Sequence, residues 1–199
     1  MNFPAQFKRP SEPRVVFQPR LDKIVETILY LAHRKPRLDH YQAVKLIYLA
    51  DKDHFNRYGR PITFEIYYAM DYGPVASITL DLIKGTRKFL DEDDVDVFPV
   101  RLEKRANIYI LAEPLRPINY DLFSKSDLQV LDAIIQEHGS KSFDELYELT
   151  HGHFAYESAW NSRPSGIKRS LMFYEDMLDE GPGKASLIED LEGISEHIR

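Results

Sequence analysis

The chain has 199 residues, 43% hydrophobic and 29% charged, the balance of one folded domain with room for a small appendage. A net charge of −6 argues against sequence-indifferent nucleic-acid binding, which needs a broad basic face. With no cysteine there is no disulfide, no thiolate metal site and no cysteine nucleophile, which fits a cytoplasmic protein.

The first twenty residues hold Pro4, Pro10, Pro13 and Pro19, and read as an extended arm (1–20). Lys8, Arg9, Arg14 and Arg20 make it basic against the single acid Glu12. It has no apolar core of the kind a secretory signal carries. A first helix is expected from about Asp22, with Ile24, Val25, Ile28, Leu31 and Ala32 at helical spacing and the basic run before Pro36 as its stop.

The second helix carries the strongest signals. Asp39 and Gln42 stand as N-cap and N3 of a capping box, in which each side chain satisfies an orphan backbone N–H. Tyr41, Ala43, Val44, Leu46, Ile47, Tyr48, Leu49 and Ala50 then surround the axis, so residues 39–58 predict a central helix packed on several sides. Leu46 to Ala50 is the longest clean apolar run and is far too short for a bilayer. Gly59 and Pro61 end the helix.

The run from Ile62 to Met70 is rich in β-branched and aromatic residues and predicts a strand. Pro74 fits the first position of a following helix, with Val75, Ile78, Thr79 and Leu82 on its buried side and Gly73 free to take the corner. That geometry explains Gly73 and Pro74 but not Tyr72. Residues 91–102 and 106–115 predict two strands joined by the polar Glu103–Arg105 turn, forming a small antiparallel sheet with the strand near Tyr67. Ser124 starts a helix ending at Gly139, Ser142 and Glu145 form a box before another, and residues 167–178 give a weaker helical pattern. Ser186 and Glu189 form a last box before an amphipathic segment within an acidic tail (181–199). The fold class is α+β: a predominantly helical single domain (21–180) around a central buried helix, with a small antiparallel sheet. Basic head and acidic tail can pair with each other or with a partner, though solvated ends are the simpler reading.

Asp51 and His54 share a helix face, and His151 and His153 form a short H-x-H. Those residue types suit a metal-dependent hydrolase using Asp51, His54 and His151. Their spacing matches no established pattern, and a surface ion pair and a helix end explain them more simply. The acids between Asp91 and Asp96 lack the glycine and glutamate that a calcium loop places at its sixth and twelfth positions. Lys84, Arg87 and Lys88, with Arg101, Lys104 and Arg105, are small basic clusters in an acidic chain. No phosphate-binding loop or serine-hydrolase elbow occurs. An aromatic surplus remains, with 12 Tyr and 11 Phe, and exposed Tyr beside Arg suits a protein interface.

The motif Lys45, Leu46, Tyr48, Leu49, Ala50, Asp51, His54, followed by Gly59, Pro61 and then Tyr72, Gly73, Pro74 and Val75, resembles the signature of the Panacea domain, the SocA-like antitoxins first grouped as phage-associated proteins. A second block, with Ser124 or Ser126, Asp127, Leu131, Gly139, Leu146, Leu149, Thr150, His151 and Trp160, extends the resemblance over residues 21–162. The resemblance implies an antitoxin that neutralises a cognate protein toxin, encoded by the adjacent gene, through direct contact. Toxins of such systems include toxic small alarmone synthetases. An alternative role is an adaptor delivering the toxin to a ClpXP-type protease. It implies no catalytic residue and no cofactor, while the short apolar runs and the acidic charge argue against a membrane and a nucleic-acid partner. Lys45, Tyr48, Asp51, His54, Tyr58, Arg60, Tyr72, Gly73, Pro74, Val75, His151 and Trp160 are the motif or toxin-facing candidates, with Tyr72 and Arg60 foremost. The arm and the tail lie outside the resemblance and are candidates for choosing the toxin.

Overall fold

The computed structural model describes residues 9–86 and 98–195. The acidic run and the basic pair Arg87 and Lys88 lie outside these residues.

The fold is α+β and mostly helical. Helix α1 (Leu21–Arg34) buries Ile24, Ile28 and Leu31. Helix α2 (His40–Tyr58) begins with the capping box of Asp39 and Gln42 and ends on Gly59 at φ 72°, a left-handed conformation that glycine takes without strain. It is buried from Ala43 to Asp51 and packs against elements on several sides, so it is the spine of the domain. Strand β1 (Tyr67–Met70) turns at Asp71 and Tyr72 into β2 (Gly73–Ala76), which leads directly into helix α3 (Ser77–Ile83).

Here expectation and structure differ. Pro74 does not open a helix. It lies on β2, an edge strand, opposite Ala69 of β1, where its missing N–H costs no ladder bond. The N-terminus of α3 is served from elsewhere. The Glu65 carboxylate accepts from the backbone N–H of Ile78 (3.1 Å) and Thr79 (2.8 Å) and from the Thr79 hydroxyl (2.9 Å).

Strands β3 (Val100–Arg105) and β4 (Ile108–Pro114) form a hairpin of their own, turning at Ala106 and Asn107 rather than at Glu103–Arg105. They do not join β1. Its second neighbour is β5 (Arg169–Leu171), giving the order β2-β1-β5. Helix α4 (Lys125–His138) starts at Ser124 as expected, and α5 (Phe143–His151) from the expected capping box of Ser142 and Glu145; the structure shows a capping box at Ser124 as well. In α4 the N3 partner is Asp127. A helix not foreseen, α6 (Phe154–Asn161), follows. Residues 167–178 give β5 and a short 3-10 turn at Glu175–Met177, not a helix. Helix α7 (Lys184–Ser195) starts two residues before Ser186, which is therefore inside it and is not its cap.

The N-terminal segment lies against this C-terminal part. Glu175 accepts from the backbone N–H of Arg14 (2.8 Å) and Val15 (3.3 Å), and Ser195 from that of Val16 (2.9 Å). Arg14 pairs with Glu192 at 2.6 Å. Phe17 sits edge-on among Phe55, Phe64 and Tyr174. Among the described residues, no helix is long and apolar enough to cross a membrane.

Candidate interaction site

Four polar residues of α2 stand three apart, and all four are fully buried: Lys45, Tyr48, Asp51 and His54. A step of three turns each by about 60° from the one before, so the row winds around the helix and meets a different neighbour each time. Lys45 Nζ donates to the Pro74 carbonyl on β2 at 2.7 Å. The Tyr48 hydroxyl lies 3.1 Å from His153 Nδ1, between α5 and α6. Asp51 accepts from the backbone N–H of Ile62 and Thr63, both at 2.9 Å, from the Thr63 hydroxyl, and from Tyr67 at 2.8 Å. His54 Nδ1 donates to the Arg60 carbonyl at 2.7 Å, and its Nε2 lies 3.0 Å from Ser126 Oγ and 3.1 Å from Asp127.

Asp51 and His54 are therefore neither a surface pair nor bonded to one another. Each is committed to its own segment, and His151 is held elsewhere, its Nδ1 donating to the Tyr147 carbonyl at 2.7 Å. Among the described residues, no group of three or more His, Asp or Glu is placed to hold a metal ion. Arg60 also turns inward. Its guanidinium donates to Asp127 (2.8 Å) and Ser124 (3.1 Å). Lys23 reaches the other Asp127 oxygen at 2.7 Å. Burial opposes ionisation of Asp127, but the bonds from His54 and Lys23 hold its carboxyl well below the usual range.

Lys45 has no carboxylate against it among the described residues, and burial pushes its ammonium well below the ordinary lysine value. It lies under the β1–β2 hairpin, 5.0 Å from the Tyr41 ring. Gly73 has φ 94°, and a Cβ there would stand 2.6 Å from Lys45 Nζ and 2.9 Å from His151 Cε1. Only a residue without a side chain lets the hairpin close down on the lysine. The Tyr41 hydroxyl donates to the Tyr72 carbonyl (3.3 Å) and that of Tyr156 to the Met70 carbonyl (3.1 Å), fixing the hairpin from two helices. Val75 is buried.

The tip of this hairpin carries Tyr72, 63% exposed. It is one ring of a continuous aromatic row. Phe143 lies 4.3 Å from Tyr41 and 5.9 Å from Tyr72, and Tyr147 stacks 6.1 Å from Phe143. His151 stacks on Tyr147 at 3.6 Å, Tyr156 meets His151 at 4.3 Å, and Trp160 stacks on Tyr156 at 5.9 Å. Burial lowers the His151 pKa. Phe143 and Tyr147 are 46% and 37% exposed, so three large rings face solvent side by side. Tyr58 is exposed too, but its ring covers His54 at 4.5 Å. Sequence reasoning had singled out Tyr72 and Trp160 and missed Tyr41, Phe143 and Tyr147. The available signal was the i, i+4, i+8 spacing of Phe143, Tyr147 and His151, off the stripe where Leu146 and Thr150 are buried.

Fold and surface thus define a mostly helical α+β domain whose motif is buried and whose rings are displayed. A family model described as "Antitoxin SocA-like, Panacea domain" matches residues 44–160, more than half of the chain, and the protein belongs to that family. No curated protein and no solved structure matches it.

Proposed function

We propose that this protein is an antitoxin that neutralises a cognate protein toxin by direct contact, using the face of Tyr72, Phe143 and Tyr147. The observation that carries this reading is the run of three exposed rings on an antitoxin-family domain. Aromatic side chains supply large contact area with little conformational entropy to lose, and they dominate binding energy at protein interfaces. The rings are mounted on a hairpin and a helix held from below by Lys45, Tyr41 and Tyr156. A surface already fixed in this way loses less freedom on binding. Occlusion of a toxin needs no reacting group on the antitoxin, which agrees with the dispersal of Asp51, His54 and His151.

The test is growth rescue from the protein encoded by the adjacent gene, in a bacterial host lacking ClpXP. The wild-type chain is expected to restore growth. Tyr72→Ala combined with Tyr147→Ala is expected to fail while the variant still folds, as a cooperative thermal melt and an unchanged far-UV circular dichroism spectrum would show. Each substitution should weaken binding of the purified toxin by roughly 30-fold, the scale of a hot-spot residue. Rescue that appears only when ClpXP is restored moves the assignment to an adaptor. Rescue by the double variant removes this face from the mechanism.

A further inference from the structure

The aromatic row is treated differently at its two ends. Around Trp160 the protein covers its own rings with guanidinium groups: Arg163 stands 3.4 Å over Trp160, and Arg169 stands 3.6 Å over Tyr68 of the neighbouring β1. At the other end, among the described residues, no cation stands over Tyr72, Phe143 or Tyr147. Carboxylates stand there instead. Asp71 precedes Tyr72 at the hairpin turn, and Asp144 and Glu148 lie on α5, each three residues before Tyr147 and His151 respectively. All three acids are exposed, and among the described residues none forms an ion pair. The chain as a whole is negative, with a net charge of −6.

We infer that this end of the row receives a basic segment of the partner, with arginine side chains stacking on Tyr72, Phe143 and Tyr147 and pairing with Asp71, Asp144 and Glu148. This rests on the toxin-binding role proposed above and adds the chemistry of the partner. A guanidinium is the group that satisfies both features at once. Its plane stacks on a ring while its N–H fork meets a carboxylate. Lysine offers the charge without the plane. Such a surface speeds encounter with a basic partner and rejects acidic ones.

A probe that avoids the toxin tests this directly. The full chain, isotope-labelled, is titrated in NMR with a blocked peptide of Arg-Gly-Ser repeats and with its Glu-Gly-Ser counterpart. The arginine peptide is expected to shift signals of Tyr72, Phe143 and Tyr147. Raising salt from about 20 mM to about 300 mM should weaken that binding by about tenfold or more. Asp71→Asn with Asp144→Asn and Glu148→Gln should weaken it similarly, while Asp121→Asn, an exposed acid at the turn before α4, should leave it unchanged. Shifts scattered elsewhere, equal binding of the glutamate peptide, or an unaffected triple variant overturns the inference. With the toxin in hand the two readings separate. Neutralisation lost in the ring variant but kept in the triple acid variant overturns only the basic-segment inference. Failure of the wild-type chain to rescue overturns the toxin-binding role, and the peptide result then stands or falls by itself.

Discussion

At the scale of single residues, Gly73 joins core to surface. It adjoins the exposed Tyr72, has φ 94°, and a Cβ there would stand under 3 Å from both Lys45 Nζ and His151 Cε1, so any other amino acid is strained and must displace one or both. Gly73→Ala is expected to cost at least about 2 kcal/mol, from the strained positive φ and the displaced lysine together. Urea unfolding of the purified variant measures it. Glu65 makes a different prediction. Burial raises its carboxyl from 4.5 to about 7, although the bonds from Thr79, Ile66 and Ile78 pull the other way. An acid raised in this way holds its proton more tightly in the native chain than in the unfolded one. Its contribution to stability is complete below about pH 4.5 and is lost as pH rises to about 7, on the order of 3 kcal/mol in all. Unfolding free energies of wild type and Glu65→Gln across this window test it: the wild type should fall more steeply with pH than the variant. Parallel curves would show that the native chain holds the Glu65 proton no more tightly than the unfolded one.

At the scale of elements, what could be read in advance divides along physical lines. Three helix starts were legible because capping is local chemistry: Asp39 with Gln42, Ser124 with Asp127 and Ser142 with Glu145 each satisfy their own backbone within one turn. Pro74 misled because proline is equally at home at a helix start and on an edge strand, and only the pairing of β2 with β1 decides between them. The partner of β1 was illegible for a similar reason. Strand pairing is set by tertiary contacts, and β5 lies about a hundred residues downstream with only three residues in register. The same dependence on distant contacts marks the two ends of the chain. The segment Arg14–Val16 places backbone donors on Glu175 and Ser195 and a guanidinium on Glu192. Truncation after Gly181 should therefore lower the melting temperature and expose the N-terminal segment to protease together. Resistance of residues 9–20 to limited proteolysis in the truncated protein would show that the two ends are independent. At the Asp127 node, Asp127→Ala leaves Lys23 buried without its carboxylate and removes an N-cap bond, and about 3–5 kcal/mol is expected to be lost.

At the scale of the whole molecule, the signature motif and the proposed contact face part company. Lys45, Tyr48, Asp51 and His54 stood out in the sequence as parts of the motif that resembles the Panacea signature, yet the structure buries every one of them. Phe143 and Tyr147 passed unnoticed because an aromatic residue in a helix reads as core until exposure is known. Native-state hydrogen exchange should rank the molecule accordingly. The amides of α2 from Ala43 to Asp51 are expected to be the slowest, exchanging only on global unfolding, with α7 and the N-terminal segment opening earlier.

The winding row on α2 also bears on how a genetic experiment would look. Each of its four side chains fastens a different stretch of chain, so damage at any of them loosens a region far from the substituted residue. Under the proposed role, a selection for clones that no longer protect against the toxin would return mostly such lesions, because a cell that has lost this protein through misfolding is as unprotected as one in which it no longer binds. Scoring each clone for the amount of soluble antitoxin would sort the two: lesions at Lys45, Tyr48, Asp51 and His54 among the scarce, those at Tyr72 and Tyr147 among the abundant. The second group alone would map the surface that meets the partner.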